Sequence, residues 1–467
     1  MRILLTAFLL FAAGVAAPAP AQAAAVTAYE PGLLQMGKAA FPPIGQEIVV
    51  TLADGKTALR LPLEKEEQLL DFGLNIQTIY QRGKILQLHV DHYGGKDTST
   101  VGFRKEITAV LRKQVLEEAA WAMQQSPVTV TASSSPRSAG GPHDFFSQAD
   151  YFWPDPKSAD SPYVNRDGMT NPDNFTAHRK AMIRLSRVVG ALASAYKITG
   201  DEKYVRQALD HCRAWFVDTT TRMNPSLNFS QAIMNRVTGR GIGIIDTIHF
   251  MEVVQGLLAM EGARTMDKSL LDAIRQWFGE YLTWLTTSAF GKAEMNATNN
   301  HGTCWAMQVA SFAKFTGNEE LMNFCRDRYK KVFLPAQMAA DGSFPQELKR
   351  TKPYGYSLFN LDAMAMLCQI LSTKEDDLWN YETTDGRSVK KGIEFLYPFV
   401  EDKNKWTYPP DVMYWKEWPV AQPFLVFGAY AFGRKDWLDT WKRLDHAPAN
   451  EEVIRNLPVR HPLIWID

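Results

Sequence analysis

From about residue 105 to its end the chain is a series of helical segments joined in pairs, and this pairing limits the fold more than any other feature. An amphipathic stretch covers 106–125. Apolar residues then recur at helical spacing over 175–199 and 203–219, 244–261 and 269–288, 301–316 and 319–338, 357–372 and 388–400, and 419–432 and 436–444. Gly200-Asp201 and Gly317-Asn318 stand where the first helix of two pairs must stop. Glycine takes the left-handed conformation that ends a helix without steric cost. Helical hairpins bury their apolar faces by standing side by side, either closed into an (α/α) toroid or left open as a solenoid. The spacing fits both. The toroid is chosen on the motifs described below, as a mainly α fold: an incomplete barrel of helical hairpins with a small N-terminal β-containing segment.

That segment covers 24–105. It is predicted to hold strands at 48–52, 57–63 and 85–90, with a turn at 53–56 between the first two. Residues 1–23 have the form of an export signal: Arg2, an apolar run over 3–17, and the small-residue site Ala21-Gln22-Ala23. The mature protein is expected to begin near Ala24 and to be periplasmic or secreted. The apolar run is too short for a membrane span. Residues 106–467 form the expected catalytic body.

Charge narrows the partners. Lys and Arg number 51 and Asp and Glu number 51, so no global basic field exists to draw in nucleic acid. An acidic polymer would have to meet cations placed locally in a cleft. Cys212, Cys304, Cys325 and Cys368 show no C-x-x-C spacing and sit in apolar helical contexts, which favours buried thiols over a zinc site or a disulfide. His89 and His92 are the nearest thing to a ligand pair, and no metal or cofactor is expected. Oligomeric state is left open.

The chemistry concentrates in two places. Asn299-Asn300-His301-Gly302 immediately precedes the helical run that includes Trp305. Arg350 is followed by Pro353-Tyr354-Gly355-Tyr356, in which Pro353 and Gly355 are expected to delay the next helix until about Ser357. Both groups then stand at helix starts, where free N–H groups favour anions. Amide, imidazole, guanidinium and phenol are the groups needed to break a polyuronate by elimination. Asn300 and Arg350 can meet the charge developing on the carboxylate. His301 and Tyr356 can move protons. Tyr354 is the rival phenol, and Asn299 or Asn300 can equally serve as a helix cap.

The order of several motifs resembles the alginate-lyase superfamily of (α/α)-toroid polysaccharide lyases. The matching stretches are Ser138 to Ser147, Asp150-Tyr151-Phe152-Trp153-Pro154-Asp155-Pro156, Pro162 to Gly168, Asn299 to Gly302, and Arg350 to Tyr356. Asn228 to Arg236, with Gly239-Arg240-Gly241 and Asp246, is most similar to the glucuronan and alginate lyases of polysaccharide lyase family 38. The resemblance implies β-elimination without a cofactor. Tyr356 would be acid and base, and His301 an assistant or the base for the opposite stereochemistry. Asn300 and Arg350 would neutralise the carboxylate, and Gln231, Asn235 and Arg240 would contact the sugar. His143, Tyr151 and Trp153, in the irregular stretch 126–175, either line the groove or hold the body together, and Asn299 and Tyr354 join the binding candidates. The aromatic cluster from Trp406 to Trp418 is read as packing. Two alternatives remain. A toroid glycoside hydrolase would need a carboxylate pair, for which Asp144, Asp150 and Glu347 are candidates. A non-catalytic protein could bind the acidic polysaccharide through its aromatics.

Overall fold

The structure, a computed structural model, describes the backbone of residues 3–6, 24–26, 35–36, 47–51, 58–62, 86–90, 96–158 and 160–466, with side chains from 102 onward. The chain divides into two compact units, Met1–Glu106 and Ile107–Asp467.

The first unit contains β1 (Ile3–Thr6), β2 (Ala24–Val26), β3 (Gln35–Met36), β4 (Glu47–Thr51), β5 (Ala58–Pro62) and β6 (Leu86–Val90). They form two three-stranded sheets, ordered β1-β6-β3 and β2-β4-β5. The antiparallel pair β4 and β5 sets Glu47 opposite Pro62 and Thr51 opposite Ala58. The predicted strands are β4, β5 and β6, with ends moved by a residue. The turn at 53–56, His92 and most of residues 1–23, where an export signal is expected, lie outside the described residues.

The second unit is an (α/α) toroid. After α1 (Lys96–Ala122), which begins before the boundary at Glu106, come the first three of its five helical hairpins: α2 (Ala177–Thr199) with α3 (Lys203–Phe216), α4 (Phe250–Met260) with α5 (Lys268–Thr287), and, beyond the short α6 (Ala289–Met295), α7 (Asn300–Thr316) with α8 (Glu319–Arg328). Two single turns follow, α9 (Leu334–Gln337) and α10 (Pro345–Leu348). Then come α11 (Pro353–Leu371) with α12 (Val389–Glu401), α13 (Pro423–Phe432) with α14 (Lys435–Arg443), and a last short α15 (Glu451–Arg455).

Inside each hairpin the two helices differ for a physical reason. The first helices form an inner ring in which α2 packs on α4, α4 on α7, α7 on α11 and α11 on α13. With neighbours on both sides they are buried almost all round, as at Val188 to Ala195 and Trp305 to Ala310. Small residues let them approach: a Cβ on Gly256 would stand 3.0 Å from Val189 Cγ1. The second helices face solvent on one side and keep only a stripe of apolar residues. In α14, Trp437, Leu438 and Trp441 are buried while Lys435 and Asp436 are exposed. Gly200 (φ 69°) and Gly317 (φ 74°) end α2 and α7 in the left-handed conformation, as predicted.

The chain's last residues shut one end of the ring. Carbonyls of Ile464, Trp465 and Ile466 accept hydrogen bonds from Gln255 of α4, Gln369 of α11 and Lys197 of α2. The opposite end, where the inner helices begin, is left for the site. Three helix boundaries differ from expectation. The 319–338 helix stops at Arg328 and continues as a π turn, Tyr329–Phe333, because Pro335 cannot donate to a regular ladder. The 244–261 helix opens as a 3-10 turn, Gly241–Thr247. The 419–432 helix begins only at Pro423, whose ring suits the first helical position. All four cysteines are buried free thiols. Among the described residues no single helix is long and apolar enough to cross a membrane.

A buried ion cluster ties α1, α2 and α4 to the C-terminal segment. His461 lies 3.2 Å from Glu252 Oε2 and 3.3 Å from Glu118 Oε2, and Glu118 also pairs with Arg187 at 3.0 Å. Burial opposes charging His461, but the two carboxylates outweigh it and raise its pKa from 6.5 to about 9. Glu252 and Glu118 are each lowered to about 2, as His461 outweighs the desolvation that would raise them. A raised pKa stabilises the fold below the unfolded value, and that contribution is lost as pH rises through about 9. The lowered carboxylates contribute above 4.5 and lose their contribution as pH falls through about 2. Thermal unfolding followed against pH is therefore expected to drop on both sides, by on the order of a few °C for each kcal/mol lost. His461→Gln should flatten the alkaline drop, and an unchanged alkaline limb in that variant would refute this role.

Candidate active site

At the open end of the ring lies a cleft of about 440 Å3 whose walls include Tyr151, Gln231, Arg240, Asn299, Asn300, His301, Arg350 and Tyr356. Two helix starts supply its chemistry. Asn299 is the N-cap of α7, its side chain accepting from the His301 N–H at 3.4 Å. Asn300 follows, 1% exposed, with its backbone N and its Nδ2 each 2.8 Å from the Glu347 carboxylate. Burial raises the Glu347 pKa despite these two donors. His301 directs Nδ1 at Glu294 Oε1, 2.5 Å away on α6. Burial alone would lower the proton affinity of His301, but the Glu294 carboxylate reverses this and the net shift is upward.

The second helix start differs from expectation. Pro353 does not delay α11; it is its first residue, where the missing N–H is not needed. Tyr356 therefore sits in the first turn. Asp411 accepts the N–H groups of Tyr354 and Gly355 at 2.9 Å each, so the helix start is capped from a distant segment. Burial raises Asp411 to a pKa of about 6. Arg350 forms a fork with Asp167, Nη2 to Oδ1 at 2.7 Å and Nε to Oδ2 at 3.3 Å. Its guanidinium lies 4.3 Å from the centre of the Tyr356 ring, and Nη2 donates to the Tyr356 hydroxyl at 3.3 Å. The same hydroxyl is 2.6 Å from that of Tyr151. Burial, and then the neighbouring Tyr151, raise the Tyr356 pKa well above that of a free phenol. It stands in the resting cleft as a neutral acid.

Gln231 and Arg240 build the opposite wall. Gln231 adopts φ 49° and anchors its backbone N on Ser147 Oγ at 2.8 Å and its Nε2 on Asp246 at 3.1 Å. Arg240 donates to the Gln231 carbonyl at 2.9 Å and to its Oε1 at 3.2 Å. Beneath the cleft runs a buried ion network. Asp150 pairs with Arg179 at 2.8 Å and with Arg455 at 2.6 Å. Burial would raise the Asp150 pKa, but these two cations bring it to about 2. Asp246 lies 3.5 Å from Arg179, and Glu452 pairs with Arg455 at 3.1 Å and Lys352 at 2.8 Å.

Four candidates lie elsewhere. Tyr354 is fully buried, its hydroxyl donates to the Phe399 carbonyl at 3.0 Å, and Trp406 and Trp415 pack on its ring. Two residues apart on a helix, the two phenols point to different sides, so Tyr354 cannot serve as the rival acid, and the late aromatic cluster is packing around it. His143 is held by the Arg222 carbonyl at 2.6 Å, away from the cleft. Asn235 is exposed and bonds to the Ser161 carbonyl at 3.2 Å. Trp153 donates to the Met169 carbonyl at 2.9 Å and lines a different cavity. Stretch 126–175 is thus mixed. Its Tyr151 and Asp167 reach the site, and its short strands enter two small sheets, β7 (Phe146–Gln148) paired with β10 (Phe229–Ala232) and β8 (Phe152–Trp153) with β9 (Val164–Asn165).

The carboxylates a hydrolase would need are already engaged. Glu347 holds Asn300, Asp150 holds two arginines, and Asp144 binds Gly141 N at 2.8 Å and Asn224 Nδ2 at 2.8 Å. No pair stands free across the cleft among the described residues. Nor does any group of three or more His, Cys, Asp or Glu among them have the arrangement of a metal site. Sequence spacing did not point to Glu294, Asp167 or Lys352 as partners. Asp167 stood in a matching motif, but its partner Arg350 is 183 positions away.

Residues 129–406 match the family model described as alginate lyase. No curated protein sequence matches the chain. Among solved structures, an alginate lyase from Bacteroides ovatus is 30% identical, with 79% of this chain and 97% of that one covered and a TM-score of 0.67. Alginate lyase A1-III from Sphingomonas species A1 is 15% identical, covers 69% of this chain and 88% of its own, and has a TM-score of 0.47. The same enzyme with a tetrasaccharide is 14% identical over the same shares, with a TM-score of 0.48. The length of the family match, and the identity and coverage of the Bacteroides ovatus enzyme, make this chain a member of the alginate lyase family of polysaccharide lyases.

Proposed function

We propose that the enzyme cleaves a polyuronate, either alginate rich in mannuronate or glucuronan, by β-elimination that leaves a 4,5-unsaturated uronate end, and that it belongs to polysaccharide lyase family 38. One observation carries the reading: an amide, an imidazole, a guanidinium and a phenol line a single cleft at the start of two inner helices. The scheme needs donors already in place where charge develops on the C6 carboxylate. Arg350 uses Nε and Nη2 on Asp167, which leaves Nη1 for the substrate. Asn300 has one Nδ2 hydrogen on Glu347 and a second to offer. His301, oriented by its Nδ1 hydrogen bond to Glu294, stands beside the same carboxylate.

Tyr356 protonates the departing O4. Where the C5 hydrogen and the leaving oxygen share a face, as in mannuronate and glucuronate, the Tyr356 oxygen takes the C5 proton as its own proton passes to O4, which restores the phenol. Where they lie on opposite faces, as in guluronate, Nε2 of His301 is the base. Gln231 and Arg240 support the sugar from the facing wall. The export signal over 1–23 supports a periplasmic or secreted enzyme.

The test is absorbance of the C4–C5 double bond with EDTA present, on polymannuronate, polyguluronate and glucuronan. A rise on mannuronate or glucuronate polymers is expected. His301→Ala should lower any guluronate activity more than mannuronate activity. A flat trace on all three polymers would refute the reading.

A further inference from the structure

The cleft explains Tyr356 but not the residues behind it. Lys352 is 5% exposed, yet it is no ordinary buried lysine. It pairs with Glu452 at 2.8 Å and sits 4.9 Å from the ring centres of both Tyr151 and Tyr414. Its Nζ is 3.4 Å from the Tyr151 hydroxyl, which is itself 2.6 Å from the Tyr356 hydroxyl. This charged chain ends on the acid of the reaction.

We propose that Lys352, acting through Tyr151, fixes the direction of this hydrogen-bond chain so that the Tyr356 hydrogen points into the cleft; the inference rests on the elimination reading above. An ammonium group only donates. Lys352 therefore makes the Tyr151 oxygen an acceptor, and Tyr151 has no acceptor for its own hydrogen among the described residues other than Tyr356. The Tyr151 hydrogen goes to the Tyr356 oxygen, which also accepts from Arg350 Nη2 at 3.3 Å. With two donors on its oxygen, Tyr356 directs its own hydrogen outward to the glycosidic oxygen. The same two donors hold the phenolate formed when that hydrogen leaves. Tyr151 and Lys352 are positioning residues, and no proton passes along the chain.

A double-mutant cycle on kcat tests this, with Tyr356→Phe as a control. Tyr151→Phe removes one oxygen and keeps the ring, and kcat should fall about tenfold to a hundredfold, the range for a lost hydrogen bond to a charged or reacting group. Lys352→Met should fall similarly, and Lys352→Arg, which also only donates, should recover part of the loss. The decisive result is the double variant. If Lys352 works through Tyr151, Tyr151→Phe with Lys352→Met is no slower than Tyr151→Phe alone. Multiplying effects would mean that Lys352 merely supports Glu452 and the fold, and would overturn the proposal. So would Tyr151→Phe at wild-type kcat, a result that stands even if Lys352→Met does not fold. Loss of turnover in Tyr356→Phe with none in Tyr151→Phe defeats this inference and leaves the elimination reading intact. A wild-type enzyme silent on every polyuronate defeats both.

Discussion

Tyr356→Phe is expected to lower kcat on the preferred polymer by about 10²- to 10⁴-fold, the contribution of a positioned acid or base. The reading makes one oxygen responsible for protonating O4 and, on mannuronate or glucuronate, for taking the C5 proton. The variant changes little else. The ring stays under the Arg350 guanidinium, 4.3 Å from its centre, and Tyr151 keeps its bond from Lys352. Oligosaccharide affinity, measured by calorimetry on the same variant, should stay within about threefold of wild type, because the lost group acts in the transition state rather than in binding. Turnover within a few-fold of wild type would remove Tyr356 from the chemistry. Tyr354 could not replace it, since its hydroxyl is bound to the Phe399 carbonyl inside the body.

Arg350→Ala is the second large effect. Removing a donor aimed at developing negative charge costs about 10²- to 10³-fold in kcat. Here it also leaves Asp167 without its fork. Asp167 is held below the usual carboxylate range because bonds from Arg350 outweigh its burial. Without Arg350, a second carboxylate faces the substrate carboxylate across the cleft, and KM should rise as well. Arg350→Lys should recover little, since an ammonium cannot make the two-point contact with Asp167 and still reach the substrate. The double variant Arg350→Ala, Asp167→Asn should recover part of the KM defect and none of the kcat defect. A lysine variant with wild-type kcat would show that only charge, and not the fork, is needed.

Much of the fold could be read in the residues. Helical period, and glycines at 200 and 317, gave the hairpins and two of their ends, because both are local properties of backbone and side chain. Where local pattern and structure part, a local rule meets a non-local one. Pro353 has the local signature of a break and yet starts a helix, because Asp411 caps the N–H groups that follow it. The site was legible in part. Asn300, His301, Arg350 and Tyr356 stand out by residue type and motif, and they share one cleft. Their supports do not, because nothing local ties Glu294, Asp167 or Lys352 to a partner until the ring closes.

Two kinds of information can thus be separated. The helical hairpins, the absence of a net basic field and the four candidate groups are legible in the residues alone, since period, charge and residue type need no partner to be read. Which phenol faces the cleft, which carboxylates are already engaged and which cation stands behind Tyr151 are set by tertiary contacts. Those depend on distances between residues far apart in the chain, such as the 205 positions between Tyr151 and Tyr356, and no local pattern encodes a contact made by closing a ring.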